Sequence, residues 1–276
     1  FEVQTWYSAP YPEEYSQHKI LYICEFCLKY MNSSYISHRH ELKCQYKHPP
    51  GNEIYRSSDG EISIFEVDGR QMPIYCQNLC LLAKMFLNSK TLYYDVEPFL
   101  FYVLTENDNE GCHFVGYFSK EKVDTGNHYN VSCILTLPIY QRKGYGNLLI
   151  QFSYVLSRIE SKTGTPEKPL SDLGLLSYRN YWRLTICYEL RNFSASNMAA
   201  NTRQRRTLSL HSIAMNTGLM VNDVVTTLES LKFLTRDPIS GNYAIRVDEE
   251  VVSCTIEKWE LKKYKTIEES RVIWAP

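Results

Sequence analysis

Residues 62–67 alternate apolar and polar side chains (Ile62-Ser63-Ile64-Phe65-Glu66-Val67), the period-two signature of a strand with one buried face. Asp68-Gly69 follows as a turn signal and predicts a hairpin to a partner strand at residues 72–75. Residues 78–87 then repeat apolar positions as a buried helix does. Three β-rich runs come next, at residues 99–104, 113–118 and 129–137, broken by Asn107-Asp108-Asn109-Glu110-Gly111 and by Gly126-Asn127. Pro138 ends the third, because it has no N–H for a ladder. Leu149, Phe152, Leu156 and Ile159 recur at helical spacing and predict a helix over 146–159. This central part reads as a mixed layer of helices on consecutive antiparallel strands. Phe1-Glu2-Val3 reads as a further strand, and a first residue other than Met suggests a fragment of a longer protein.

Beyond the core, the polar stretch 194–206, with Arg203, Arg205 and Arg206, reads as a linker. A short helix over 208–216 stops at Gly218, Asn222 is placed to cap a helix over 223–232, and residues 237–242 turn into a strand at 243–247. Helix, turn, helix, hairpin is a winged-helix pattern. It predicts a structural flank or a protein-docking module ahead of DNA reading. The fold class is α+β in three parts: a Cys- and His-containing region at 1–60, a mixed core at 61–193 and a winged-helix-like region at 194–276.

Composition narrows the picture. The chain has 276 residues, 44% hydrophobic and 22% charged, with a formal net charge of -1. That charge argues against broad phosphate neutralisation, so any DNA contact is expected to be weak, and it is compatible with a cationic partner. No apolar run approaches the roughly 18 to 20 residues of a membrane span. Nine cysteines, an odd number in a chain able to bury its own core, fit a reducing compartment better than a disulfide framework.

Four of the Cys and His residues have ligand spacing. Cys24 and Cys27 form a Cys-x2-Cys knuckle, and twelve residues later His40 and Cys44 form a His-x3-Cys turn. Zinc takes four tetrahedral N/S ligands, and four protein ligands close its shell, so one structural zinc is predicted. His38 competes with His40 but is longer spaced to Cys44, and is expected to face solvent. Cys76 and Cys80 are expected to be core thiols.

Gln141-Arg142-Lys143-Gly144-Tyr145-Gly146 lies between a strand and a helix. Its glycines allow a tight turn, and the amides that open the helix favour a phosphate. From the residues alone it is either an anion-binding loop or an ordinary turn. The Gln/Arg-x-x-Gly-x-Gly pattern resembles the pyrophosphate loop of the acetyl-CoA-dependent N-acetyltransferase superfamily. Further stretches resemble the MYST family of histone acetyltransferases: His48-Pro49-Pro50-Gly51-Asn52-Glu53-Ile54-Tyr55-Arg56, Lys90-Thr91-Leu92-Tyr93-Tyr94-Asp95, Gly116-Tyr117-Phe118-Ser119-Lys120 and Pro166-Glu167-Lys168-Pro169-Leu170-Ser171-Asp172. Val96-Glu97-Pro98-Phe99 and Asn130-Val131-Ser132-Cys133, with Ser132 where H4-directed members usually carry Ala, resemble the MOZ/MORF-type branch.

The resemblance implies a nuclear enzyme that moves an acetyl group from acetyl-CoA to a lysine of a histone tail. It favours histone H3 over H4 and a setting among accessory subunits of a chromatin complex. The alternative is a catalytically weak scaffold that binds chromatin through finger and winged helix. Backbone groups of Ser132, Cys133, Ile134, Leu135 and Thr136 are expected to pair with the pantetheine arm. Those of Gln141, Arg142, Lys143, Gly144, Tyr145, Gly146 and Asn147 are expected to hold the pyrophosphate. Ser171 reads on its own as a helix cap, and by resemblance as a further cofactor contact.

A lysine nucleophile with a pKa of about 10.4 is one part in a thousand neutral near pH 7.5, an obstacle of roughly 4 kcal/mol. A carboxylate base raised by partial burial removes it. Glu167, between Pro166 and Pro169, reads alone as a loop glutamate; the resemblance makes it that base. Cys133 is expected on one strand face with Val131 and Leu135. It is either a pocket-lining thiol or the carrier of an acetyl-cysteine intermediate. Lys90 matches the lysine that family members acetylate on themselves, and otherwise reads as a surface lysine.

Overall fold

The computed structural model describes residues 1–88, 95–124, 126–199, 207–236, 238–239, 241 and 243–275. Lys90, Arg203, Arg205 and Arg206 lie outside the described residues. The N-terminal third holds α1 (Glu13–Ser16), β1 (Tyr22–Ile23), β2 (Tyr30–Met31), α2 (Ser34–Glu41), β3 (Asn52–Arg56), β4 (Ile62–Asp68) and α3 (Pro73–Lys84). Then come β5 (Phe99–Asn107), β6 (Cys112–Glu121), β7 (Tyr129–Val131), β8 (Cys133–Thr136), α4 (Tyr145–Ile159), β9 (Thr165–Pro166) and α5 (Asp172–Ala199). The C-terminal elements are α6 (Leu210–Thr217), α7 (Val221–Ser230), β10 (Leu234–Arg236), β11 (Tyr243–Ile245) and α8 (Glu249–Glu260). Phe1-Glu2-Val3 is not a strand.

The chain forms two compact units: Phe1–Thr125 with Val131–Leu149 and Glu268–Ala275, and Gly126–Asn130 with Ile150–Ile267. In the first unit an antiparallel sheet runs in the order β3-β4-β5-β6-β8. Both faces of its central strands are buried. Phe101 and Val103 join a core with Leu79 and Ala83 of α3, while the alternate residues Tyr102 and Leu104 are equally shielded. At one edge the C-terminal tail covers β3: Ile273 N donates to Ile54 O at 2.8 Å, and Tyr55 bridges Val272. Covering an edge removes a template for unwanted strand pairing.

Two sequence expectations change here. Asp68-Gly69 does not turn a hairpin into residues 72–75; β4 pairs with β5, and that stretch opens α3. The Asp68 carboxylate accepts from Arg70 N at 2.7 Å, and its carbonyl accepts from Gln71 N and Met72 N. Pro73, with no N–H to offer a strand partner, then occupies the first turn of the helix. The run 129–137 is likewise not one strand. Ser132 N and Cys133 N both turn to Ser119, to its carbonyl at 2.7 Å and its hydroxyl at 3.2 Å. Successive amides of a regular strand point opposite ways, so this double contact breaks the ladder. β8 stays beside β6, and β7 pairs with β9.

In the second unit α5 is 28 residues long and continues through residues 194–199, where a linker was expected. Tyr178, Trp182, Ile186 and Leu190 are buried along it. Trp182 Nε1 donates to the Tyr154 hydroxyl at 2.8 Å, and the Tyr154 ring stacks on Tyr181. α6 stops at Gly218 in the left-handed conformation. The cap of α7 is Met220 rather than Asn222, since Asp223 N and Val224 N already bond to the Met220 carbonyl. β10 and β11 form an antiparallel hairpin. The unanticipated α8 is capped by Asp248, which accepts from Glu250 N and Val251 N, and it buries Val252 and Ile256.

Candidate functional site

The metal cluster is built by two short turns. Cys24 and Cys27 lie in the tight turn between β1 and β2, closed by Leu28 N donating to Cys24 O at 2.9 Å with Leu28 in the left-handed region. His40 sits in the last turn of α2, which Ser33 caps. Cys44 follows with its amide on the His40 carbonyl at 2.7 Å. The four ligand atoms lie within 4.8 Å of one another. Cys24 Sγ and Cys44 Sγ are 3.9 Å apart, against the about 3.8 Å expected between two thiolates on one tetrahedral zinc. The hydrogen bond between the two knuckle thiols is the first cause that holds the Cys24 thiol down and pushes the Cys27 thiol up. His38 points away, its side chain 74% exposed beside Glu41. Three sulfurs and one imidazole fit zinc, and with four protein ligands the metal is structural.

The finger is fastened to the sheet of its own unit. Leu28 is buried in the same core as Val67 and Leu79. His113 on β6 reaches Glu25 of the knuckle at 2.8 Å and Asp108 at 2.9 Å. Desolvation lowers the His113 pKa, but the bonds to Glu25 and Asp108 outweigh it and leave it raised. Sequence reading missed this bridge, because its three members are spread from residue 25 to residue 113.

The segment expected to hold the cofactor, residues 132–147, also belongs to the first unit. β8 is the last strand of the sheet order, so one edge has no strand partner among the described residues and leaves backbone groups for an extended ligand. Ser132, Cys133, Ile134 and Thr136 are half-buried, while Leu135 is buried. Cys133 packs against the core that contains Leu135, but Val131 belongs to the separate β7. A 3-10 turn at Pro138–Tyr140 leads into the loop, and Gln141 Nε2 donates to Thr136 O at 3.1 Å. Arg142 (φ +62°) and Gly144 (φ +97°) both take the left-handed region, which turns the loop back on itself before α4 starts.

Gly144 needs its lack of a Cβ for that conformation. Gly146 does not: a Cβ there would find only Thr136 Oγ1, at an ordinary 3.7 Å. The contacts of the chain itself give no reason for glycine at this place. Tyr145 extends from the loop to donate to Glu106 on β5. Burial first, and then that bond, push its hydroxyl up, so it remains a donor.

Glu167 and Ser171 lie in the second unit. Thr165 and Pro166 are buried, and Glu167, Lys168 and Pro169 are exposed. The partial burial expected of Glu167 is therefore not supplied by the chain. Ser171 caps α5, its Oγ accepting from Gly174 N at 3.1 Å.

The MOZ/SAS family pattern matches residues 48–272, and that of the MYST family zinc finger domain matches residues 1–44. The chain belongs to the MOZ/SAS family. Among the proteins it resembles is histone acetyltransferase mst2 of Schizosaccharomyces pombe, 51% identical over the whole chain. Histone acetyltransferase SAS3 of Saccharomyces cerevisiae is also 51% identical, and histone acetyltransferase KAT6B of Homo sapiens is 50% identical, each over the whole chain. The chain spans 64%, 35% and 13% of those three proteins. Acetyl-CoA is the cosubstrate of this acetyltransferase family, and the edge strand and open loop described above suit it. No helix among the described residues is long and apolar enough to cross a membrane.

Proposed function

We propose that this chain is the catalytic part of a nuclear lysine acetyltransferase that acts on histone tails, with histone H3 preferred over H4, and that it works among accessory subunits of a chromatin complex. The observation that carries the reading is Gly146, in the first turn of α4, where a Cβ would meet only Thr136 Oγ1 at 3.7 Å and the close approach of a pyrophosphate accounts for the glycine. The match to relatives named histone acetyltransferase along the whole chain supports it.

In this reading the backbone of Ser132 to Thr136 pairs with the pantetheine arm, and residues 141–147 cradle the pyrophosphate. Ser171 adds a contact. Glu167 takes the proton of the lysine ammonium, the freed amine attacks the thioester carbonyl, the C–S bond breaks, and the CoA thiolate takes the second amine proton and leaves as the thiol. Because Glu167 is exposed, the bound tail must supply the desolvation that raises a base toward neutrality. Cys133 lines the acetyl pocket, and attack is direct. Residues 194–276 serve as a winged-helix-like docking region, Lys90 as the site of self-acetylation.

Steady-state kinetics of Glu167→Gln and Cys133→Ala test the assignment. Glu167→Gln is expected to lower kcat by about 10²-fold or more at neutral pH, and Cys133→Ala to remain active. Equal kcat for Glu167→Gln and wild type would overturn the base.

A further inference from the structure

The stretch that presents Glu167 is held by an element far along the chain. Gly164 N donates to Gly218 O at 2.8 Å, Met220 N donates to Gly164 O at 3.3 Å, and Gly164 bridges Leu219 in parallel. Thr165 N donates to His128 O at 3.1 Å. The corner between α6 and α7 thus grips the chain three residues before the base.

At the same corner lies a buried acid that the proposed chemistry does not use. Asp223, in the first turn of α7, is 5% exposed. Its Oδ2 and the Thr165 Oγ1 are both buried, and no hydrogen bond of ordinary geometry reaches either. The groups that act electrostatically on the carboxyl are the Thr165 hydroxyl of β9, Lys168 of the base loop and Tyr154 of α4. The Tyr154 hydroxyl is itself engaged by Trp182. Burial pushes the Asp223 carboxyl above its ordinary range, and Thr165 and Lys168 draw it part of the way back. A buried carboxyl with so little compensation costs stability, and the two groups that draw on it, Thr165 and Lys168, flank Glu167 in the chain.

We propose that Asp223 is a positioning residue for Glu167, acting through the Thr165 hydroxyl on one side and Lys168 on the other to fix the loop that carries the base. The proposal rests on the reading of Glu167 as base. Asp223 touches no reacting atom. Misplacement of a base by about 1 Å is enough to cost up to about 10²-fold.

The test uses the whole chain with acetyl-CoA and a histone H3 tail peptide, and compares Asp223→Asn, Thr165→Val, Thr165→Ser and Glu167→Gln at about pH 7.5 and about pH 9.5. Asp223→Asn and Thr165→Val are expected to lower kcat at the lower pH by about 10- to 100-fold, with KM for acetyl-CoA unchanged. Thr165→Ser, which keeps the hydroxyl, should restore wild-type kcat. Both deficits should shrink at the higher pH, where the lysine sheds its own proton and needs the base less. A structural defect would not follow the pH in this way, so equal deficits at the two pH values overturn the proposal. Wild-type kcat in Thr165→Val beside a slow Glu167→Gln also overturns it, and leaves the base reading intact. Wild-type kcat in Glu167→Gln overturns the base reading and the positioning role with it. Should Asp223→Asn fail to fold, the Thr165→Val and Thr165→Ser pair decides alone.

Discussion

Replacing Gly146 by Ala separates folding from cofactor binding, because the two respond in opposite directions. The added Cβ meets nothing closer than Thr136 Oγ1 at 3.7 Å, and the position lies in the first turn of α4. Alanine is the better helix former by up to about 1 kcal/mol, less near a terminus, so a gain of about 0.5 kcal/mol is reasonable. For a chain of this size that raises the melting temperature by about 1 to 2 °C. The same methyl group would stand where the phosphate approaches the helix amides. Losing one charge-assisted hydrogen bond costs about 1.5 to 3 kcal/mol, or about 10- to 150-fold in affinity. Thermal melting without ligand and calorimetric titration with CoA measure the two effects on one sample. Gly144→Ala is the contrast, since φ +97° strains any side chain and the fold itself should weaken. A Gly146→Ala protein that melts lower, or that binds CoA as tightly as wild type, would refute the reasoning.

Metal analysis should find one zinc per chain, lost in His40→Ala along with much of the stability. His38→Ala, at an exposed side chain, should keep the metal and change stability by less than about 0.5 kcal/mol. Tyr154→Phe should cost about 1 to 3 kcal/mol in denaturant unfolding, because it leaves the buried Trp182 N–H without its acceptor. The Asp223 pKa is raised in the folded chain, mainly by burial, so its contribution is most favourable below the unfolded carboxylate value and is lost as pH rises through the folded one. Asp223→Asn should therefore remove part of the wild-type loss of stability above about pH 4, read by melting curves across a pH series.

The legible parts of this chain were those whose signal is local. The alternation of β4, the apolar runs of β5 and β6, the period of α4 and the Cys-x2-Cys and His-x3-Cys spacings each declare themselves within a few residues. Illegible parts depended on partners distant in sequence. Ser119 breaks the strand run at Ser132, and the run of residues beside it carries no mark of that contact. Asp68-Gly69 looked like a hairpin because its turn chemistry suits either a strand or a helix, and only Pro73 favoured the helix. The polar residues 194–199 extend α5 although their composition resembles a linker. In the sequence Asp223 is an ordinary residue of a helix start; its burial near Thr165 follows only when residues 58 apart in the chain are brought together. The exposure of Glu167 likewise follows from how the loop is mounted, which no local pattern records.

Mass spectrometry of H3 and H4 tail peptides after incubation with the chain and acetyl-CoA tests the central claim most directly. Acetyl groups are expected on lysine, more on H3 than on H4, and almost none with Glu167→Gln. Absence of transfer by the zinc-loaded wild-type chain, or equal transfer by Glu167→Gln, would contradict it.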